Sequence, residues 1–178
     1  MKFKSISFLI VFLTTTQLSA FQLPKRILKK VQKELVKTYE KKELKLVEIM
    51  VPEAINTQLG KKMYAANLFR IVDATEIIGY AYIGKAPSKT DEFDFLIILD
   101  KELIIKKSKV LVYREDYGAE IGSRRWLKQF IGKSGKDQLK YRRDIMAISG
   151  ATISALSMTI AINQFLSDLN ILQKNHIF

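Results

Sequence analysis

From residue 44 to residue 114 the chain alternates apolar and polar residues with a period near two, which is typical of β-strands. In the clearest segment Phe93, Phe95 and Ile97 recur at every second position, which predicts a strand with one face in the core. Short links such as Asp100-Lys101-Glu102 join neighbouring strands, so we predict an antiparallel sheet covered by helices, an α+β fold. The predicted strands are residues 44–51, 64–73, 77–85, 92–100 and 103–114.

Two later segments have helical spacing. Residues 123–131 are predicted to form a short helix that places Trp126 beside Phe130. A longer helix follows the step Ser149-Gly150-Ala151-Thr152, because apolar residues then recur every three or four positions. They lie on two neighbouring stripes and predict a buried helix: Ile153, Leu156 and Ile160 on one, and Met158, Ile162, Phe165 and Leu169 on the other.

The start of this long helix is a candidate phosphate site, because a helix N-terminus presents free backbone N–H groups and a partial positive charge. Gly150 lets a ligand approach the backbone closely, Ala151 keeps the next position small, and Thr152 places a hydroxyl at the mouth of the site. We expect Ser149 to cap the helix and Ser154 to lie in its first turn, within hydrogen-bonding reach of backbone or phosphate. Taken alone, a turn of this composition is more often an ordinary helix start.

The first 20 residues are predicted to be a secretory signal that is cleaved after Ala20. Lys2 and Lys4 provide the positive start, and the apolar stretch 6–13 is shorter than the ~20 residues that span a membrane. An uncleaved anchor is the alternative, since Leu18 is larger than the residue usually found at its position before a cleavage site. We therefore expect an exported protein, periplasmic or associated with the outer side of the inner membrane.

Residues 21–43 are predicted to form a basic amphipathic helix. Apolar residues recur at helical spacing on one face, and the opposite face carries Lys25, Arg26, Lys29, Lys30, Lys33 and Lys37. Two interpretations stay open. The lysine face is either solvated on a helix that packs against the domain, or it adheres to an anionic membrane surface.

Composition excludes several classes of function. With 178 residues, 48% of them apolar, the chain can form one folded domain. It has no cysteine, and its single histidine, His176, lies in a polar tail, so no metal site or histidine catalysis is expected. A formal charge of +12 would favour nucleic acid in a cytoplasmic protein, but the predicted signal argues against that partner. Residues 132–136 hold two glycines and two lysines without the spacing of a P-loop.

The order Ser-Gly-Ala-Thr, one residue, Ser, followed by an apolar helix, resembles the flavin-attachment motif of the FMN-binding domain family. Members of that family occur as subunits of the sodium-pumping NADH:quinone reductase and of the Rnf electron-transport complex. The resemblance extends over residues 76–165, and it implies an FMN-binding domain at residues 44–178. Similar segments follow in the family's order at residues 79–82, 93–100, 110–115 and 126–133.

In this family the Thr of the motif carries FMN through a phosphoester bond, which a dedicated flavin transferase installs. The resemblance therefore implies covalent FMN at Thr152 and electron transfer between membrane-bound redox partners, with no catalytic acid, base or nucleophile acting on a substrate. The other residues that it places at the cofactor are Ser149, Gly150, Ala151, Ser154, Glu115 and Gly118.

The chain departs from the family pattern at two places. The family usually has Asp three residues before the Ser, in a position that the transferase recognises, whereas this chain has Met146 there and its nearest acid is Asp144. The loop that follows Glu115 is shorter than the family's and contains one glycine, Gly118.

The alternative is a non-redox binding protein. It would hold FMN noncovalently or hold no flavin, and it would dock on an anionic membrane or an acidic partner. A self-standing enzyme is the third interpretation, and it ranks last because the sequence contains no acid–base constellation.

Overall fold

The computed structural model describes residues 23–64 and 66–178. Five strands form one antiparallel sheet in which each strand pairs with the next along the chain. This arrangement confirms the predicted α+β fold. In chain order the strands are β1 (Leu44–Glu48), β2 (Leu68–Asp73), β3 (Glu76–Pro87), β4 (Glu92–Leu99) and β5 (Ile105–Val112).

Four α-helices accompany the sheet in the described ranges. The first precedes it, the second lies between β1 and β2, and the other two follow it: α1 (Lys25–Tyr39), α2 (Glu53–Asn56), α3 (Arg124–Leu127) and α4 (Thr152–Lys174). Within residues 23–64 and 66–178 no helix is long and apolar enough to cross a membrane. The predicted signal, residues 1–20, lies outside the described residues.

β4 is buried on both faces, which corrects the prediction of a single face in the core. Phe93, Phe95 and Ile97 pack in one apolar cluster with α4, whereas Leu96 and Ile98 pack on the opposite face with α1. The alternation of Phe93, Phe95 and Ile97 indicated only the face on which these residues lie. The other face is buried as well, because helices cover the sheet on both sides. The residues of α1 that enter the second cluster are Ile27, Val31 and Leu35.

α4 buries only one of its two predicted stripes. The stripe of Met158, Ile162, Phe165 and Leu169 is buried against the sheet. The other stripe faces solvent, with Ile153, Leu156 and Ile160 exposed by 52%, 40% and 59%. The prediction of a helix buried on both stripes is therefore wrong, because α4 lies on the surface of the sheet and only one side of it meets the core.

The predicted helix at residues 123–131 is shorter and tighter than expected. α3 ends at Leu127, and the chain continues as a 3₁₀ turn at Lys128–Phe130. The Trp126 and Phe130 rings nevertheless pack edge to face with centroids 5.2 Å apart, which confirms their predicted contact.

A buried carboxylate joins α4 to the loop after α2. Asp168 is fully buried, and one of its oxygens accepts hydrogen bonds from Gly60 N at 2.8 Å and Gln164 Nε2 at 3.0 Å. Its other oxygen accepts from Lys61 N at 3.3 Å. The loop at residues 60–61 is thereby fixed against the second half of α4.

Candidate functional site

The loop that enters α4 turns at Gly150, which has a positive φ of 81°. Ala151 is the N-cap residue, with no side-chain capping bond, and Thr152 is the first residue of the helix. The prediction that Ser149 caps the helix is therefore wrong: the turn at Gly150 moves the cap two residues along, and Ser149 is exposed. The first hydrogen bond of the helix runs from Ala155 N to Ala151 O. The N–H groups before Ala155 in the first turn have no acceptor within the helix, so they are available to an anion.

Thr152 presents its hydroxyl at the surface. The residue is exposed, and its Oγ1 donates to Ile148 O over 3.4 Å, which is long for an O–H···O hydrogen bond. The Tyr141 hydroxyl approaches the Thr152 carbonyl at 3.4 Å and leaves the side chain uncovered. The Thr152 oxygen is thus accessible to a reaction partner.

A cleft of about 210 Å³ opens beside this threonine. It gathers residues from three distant parts of the chain: the loop between β3 and β4, the segment after β5, and the start of α4. Six of the seven residues implied at the cofactor line it, and Ser149 does not. The lining residues are Lys89, Tyr113, Glu115, Tyr117, Gly118, Gly150, Ala151, Thr152, Ile153 and Ser154.

Residues 89–167 match the family model of the FMN-binding domain. The match confirms the resemblance and supports a flavin-binding protein with FMN as its cofactor. Every residue that lines the cleft falls within the matched segment. No curated protein matches the chain.

The cleft of the FMN-binding domain fits the phosphate end of the cofactor. It combines an accessible hydroxyl with the N-terminus of a 23-residue helix, where an anion is stabilised. Its volume is below the ~300 Å³ at which pockets begin to enclose a whole ligand of this size. Part of the flavin would therefore extend out of the cleft to the protein surface.

Ser154 lines the cleft and is hydrogen-bonded to Tyr113. The Tyr113 hydroxyl donates its one proton to Tyr117 O at 3.0 Å, so the 2.9 Å bond to Ser154 Oγ has the serine as donor. Ser154 is buried and lies in the first turn of α4, as predicted. Its proton is committed to Tyr113, so it ties α4 to the segment after β5 rather than pointing a free donor at a phosphate.

Gly118 lines the cleft at a position where a side chain would be strained. Its φ is 91°, a conformation that favours glycine. A Cβ there would lie 2.4 Å from the Tyr113 hydroxyl oxygen. The glycine therefore lets the loop close over the Tyr113–Ser154 pair.

Glu115 in the FMN-binding domain holds a loop. Its Oε1 accepts hydrogen bonds from Ser88 Oγ at 2.7 Å, Thr90 N at 2.6 Å and Asp91 N at 3.0 Å. The bonds from Ser88 and from the Thr90 and Asp91 backbone lower the pKa of Glu115 to about 2, so it is ionised at any physiological pH. The structure therefore shows Glu115 at the edge of the cleft with one oxygen fully engaged.

Met146 is 67% exposed, and both polar groups of its backbone are hydrogen-bonded. Its N–H donates to Gln129 Oε1 at 2.8 Å, and its carbonyl accepts from Trp126 Nε1 at 2.7 Å. Asp144 instead closes its own turn by accepting from Lys140 N at 2.8 Å and pairing with Arg143, which lowers the pKa of Asp144. Asp144 therefore does not replace the missing acid at position 146.

Four of the lining residues were not predicted as site residues from the sequence: Lys89, Tyr113, Tyr117 and Ile153. Lys89 lies in the polar loop between β3 and β4, far from Thr152 along the chain. Only the strand pairing and the bonds of Glu115 bring the two together.

Proposed function

We propose that the protein is an exported flavoprotein that carries FMN covalently on Thr152 and transfers electrons between membrane-associated redox partners. The observation that carries the proposal is the accessible Thr152 hydroxyl, at a helix N-terminus inside a cleft of the FMN-binding domain. FMN supplies the redox chemistry, whereas the chain binds it, orients it and sets its surroundings.

Attachment requires only one reactive group from this chain. The Thr152 Oγ–P bond forms as the hydroxyl loses its proton and the pyrophosphate bond of an activated flavin donor breaks. The other half of the donor leaves as a nucleoside monophosphate, which takes up that proton. The external transferase supplies the donor and the catalytic groups. The product differs from the unmodified chain by the mass of FMN less one water.

The proposal is tested by coexpression with a flavin transferase. We expect the intact mass to increase by FMN less one water, and absorbance near 450 nm to persist through denaturation and gel filtration. Flavin that binds but is released by denaturation would favour the noncovalent alternative. A protein that never acquires flavin would contradict the redox function altogether.

Export predicts a defined N-terminus. The mature protein should begin at Phe21 when it is recovered from the periplasmic fraction, because cleavage after Ala20 removes the apolar stretch. Intact-mass analysis of that fraction measures this directly. Retention of Met1 in a membrane pellet would instead indicate an anchor.

Membrane association is proposed to use the outer face of α1. Lys25, Lys29 and Lys33 are exposed, whereas the Lys30 ammonium donates to Leu111 O and so belongs to the packing of α1 on β5. Each basic residue near an anionic surface contributes on the order of 1 kcal/mol.

Replacing Lys25, Lys29 and Lys33 together with Gln should therefore weaken binding to phosphatidylserine-containing vesicles by tenfold or more. A triple replacement of Lys128, Lys136 and Lys174 removes the same charge from other exposed sites and is the control. Cosedimentation at two salt concentrations measures both variants. Equal binding by both would leave α1 with a solvated lysine face.

A further inference from the structure

The loop opposite Thr152 carries the one cation among the described residues that line the cleft, Lys89. The loop is closed on itself, since Ser88 N donates to Asp91 O at 2.7 Å. Within residues 23–64 and 66–178 Lys89 forms no ion pair. Its charge is therefore available to a ligand.

Glu115 fixes this loop on both sides of Lys89. Its Oε1 lies 2.7 Å from Ser88 Oγ before the lysine, and it accepts from Thr90 N and Asp91 N after it. The Thr90 hydroxyl adds a fourth contact at 3.1 Å. The backbone that carries Lys89 is thus held from three positions around it.

The two walls of the cleft differ in chemistry. The Thr152 wall offers the hydroxyl and the N–H groups of a helix start, which suit a phosphate. Lys89 lines the same cleft from the loop between β3 and β4, a part of the chain that is separate from the start of α4. Because the cleft is smaller than the cofactor, a flavin attached at Thr152 would extend past the other lining residues, and Lys89 is the cation among them.

We propose that Lys89 stabilises the reduced flavin ring, and that Glu115 is a positioning residue that acts through Lys89 without contacting the flavin. The inference rests on the proposed function. Two electrons and one proton convert the oxidised ring into its anionic reduced form, so the ring gains one negative charge. The electrons come from the redox partner, or from dithionite in a titration. A nearby cation favours that form and raises the reduction potential.

The test is a redox titration of the flavin-loaded protein. Lys89→Gln should lower the equilibrium constant for reduction about tenfold, which is about 30 mV for a two-electron couple. Lys89→Arg should restore most of the difference, because it keeps the charge. Lys136→Gln is the matched control, since this lysine lines a separate groove beside Gln164 and Ser167, about 20 Å along α4 from Thr152.

The direction in which Glu115→Ala changes the reduction potential shows whether Glu115 positions Lys89 or contacts the flavin directly. Removing an acid that acted directly on the ring would raise the potential, whereas releasing Lys89 should lower it. In the double variant of Lys89→Gln and Glu115→Ala, the second change should have no further effect, because the residue through which Glu115 acts is gone.

Three outcomes would overturn the inference. An unchanged reduction potential in Lys89→Gln would show that the lysine does not act on the flavin ring. An unchanged potential together with reduced flavin incorporation would indicate that the lysine contacts the phosphate instead. A higher potential in Glu115→Ala would make that acid a direct contact. If the wild type carried no flavin, the proposed function would fail together with this inference, whereas a loaded protein that is insensitive to Lys89 would refute the inference alone.

Discussion

Thr152→Ala is expected to abolish covalent attachment of FMN. The substitution removes the only hydroxyl of the described chain that is both exposed and placed at the start of α4 within the cleft. Its one bond, to Ile148 O over 3.4 Å, is weak, so the loss in unfolding free energy should stay below ~1 kcal/mol. The intact mass should equal that of the bare chain, while circular dichroism and thermal unfolding match the wild type.

Neighbouring hydroxyls provide the controls for this result. Ser149→Ala should load fully, because Ser149 is exposed, caps nothing and does not line the cleft. Thr152→Ser should retain part of the label, since it keeps the nucleophilic oxygen. Met146→Asp should raise the labelled fraction if the transferase contacts that exposed position. Covalent flavin on Thr152→Ala would refute the assignment, and a label mapped to Ser149 or Ser154 would move it.

Asp168→Ala is expected to lower the unfolding free energy by about 3 kcal/mol. The change leaves Gly60 N, Lys61 N and Gln164 Nε2 without their acceptor at a fully buried position. Urea denaturation measures the difference. Attachment of FMN should survive wherever the variant is folded, because Asp168 lies about 24 Å along α4 from Thr152.

Asp137→Ala is the matched control for that stability measurement. Asp137 also accepts a backbone bond, from Ser134 N at 2.9 Å, but its side chain remains 32% exposed. Water can replace it there, so the loss should be below ~1 kcal/mol. Similar losses in the two variants would show that burial of Asp168 adds nothing to its contribution.

The strand pattern predicted the sheet well because each strand's alternation is local. It failed on β4, where burial on both faces depends on which helices cover the sheet, and helix packing is set by distant parts of the chain. The same reason explains α4. Its apolar residues at Ile153, Leu156 and Ile160 look like core residues by spacing, yet nothing in the described chain covers them.

The candidate site was predicted where its residues form one continuous motif. Gly150, Thr152 and Ser154 are neighbours in sequence, and the structure places all three at the cleft. Ser149 failed as a cap because the backbone turn at Gly150 decides which residue precedes the helix. Lys89 was not predicted because its place depends on bonds to Glu115, 26 positions away, and such pairings leave no local signal.

The two helical layers lie on opposite sides of the sheet, which separates surface attachment from cofactor loading. α1 packs on β1 and β5, and no residue of α1 lines the cleft among the described residues. A surface bound to its lysine face therefore makes the same contacts whether the cleft is filled or empty, and the coupling free energy between the two sites should be close to zero. By reciprocity, chains that carry FMN and chains that do not should partition alike between anionic vesicles and solution.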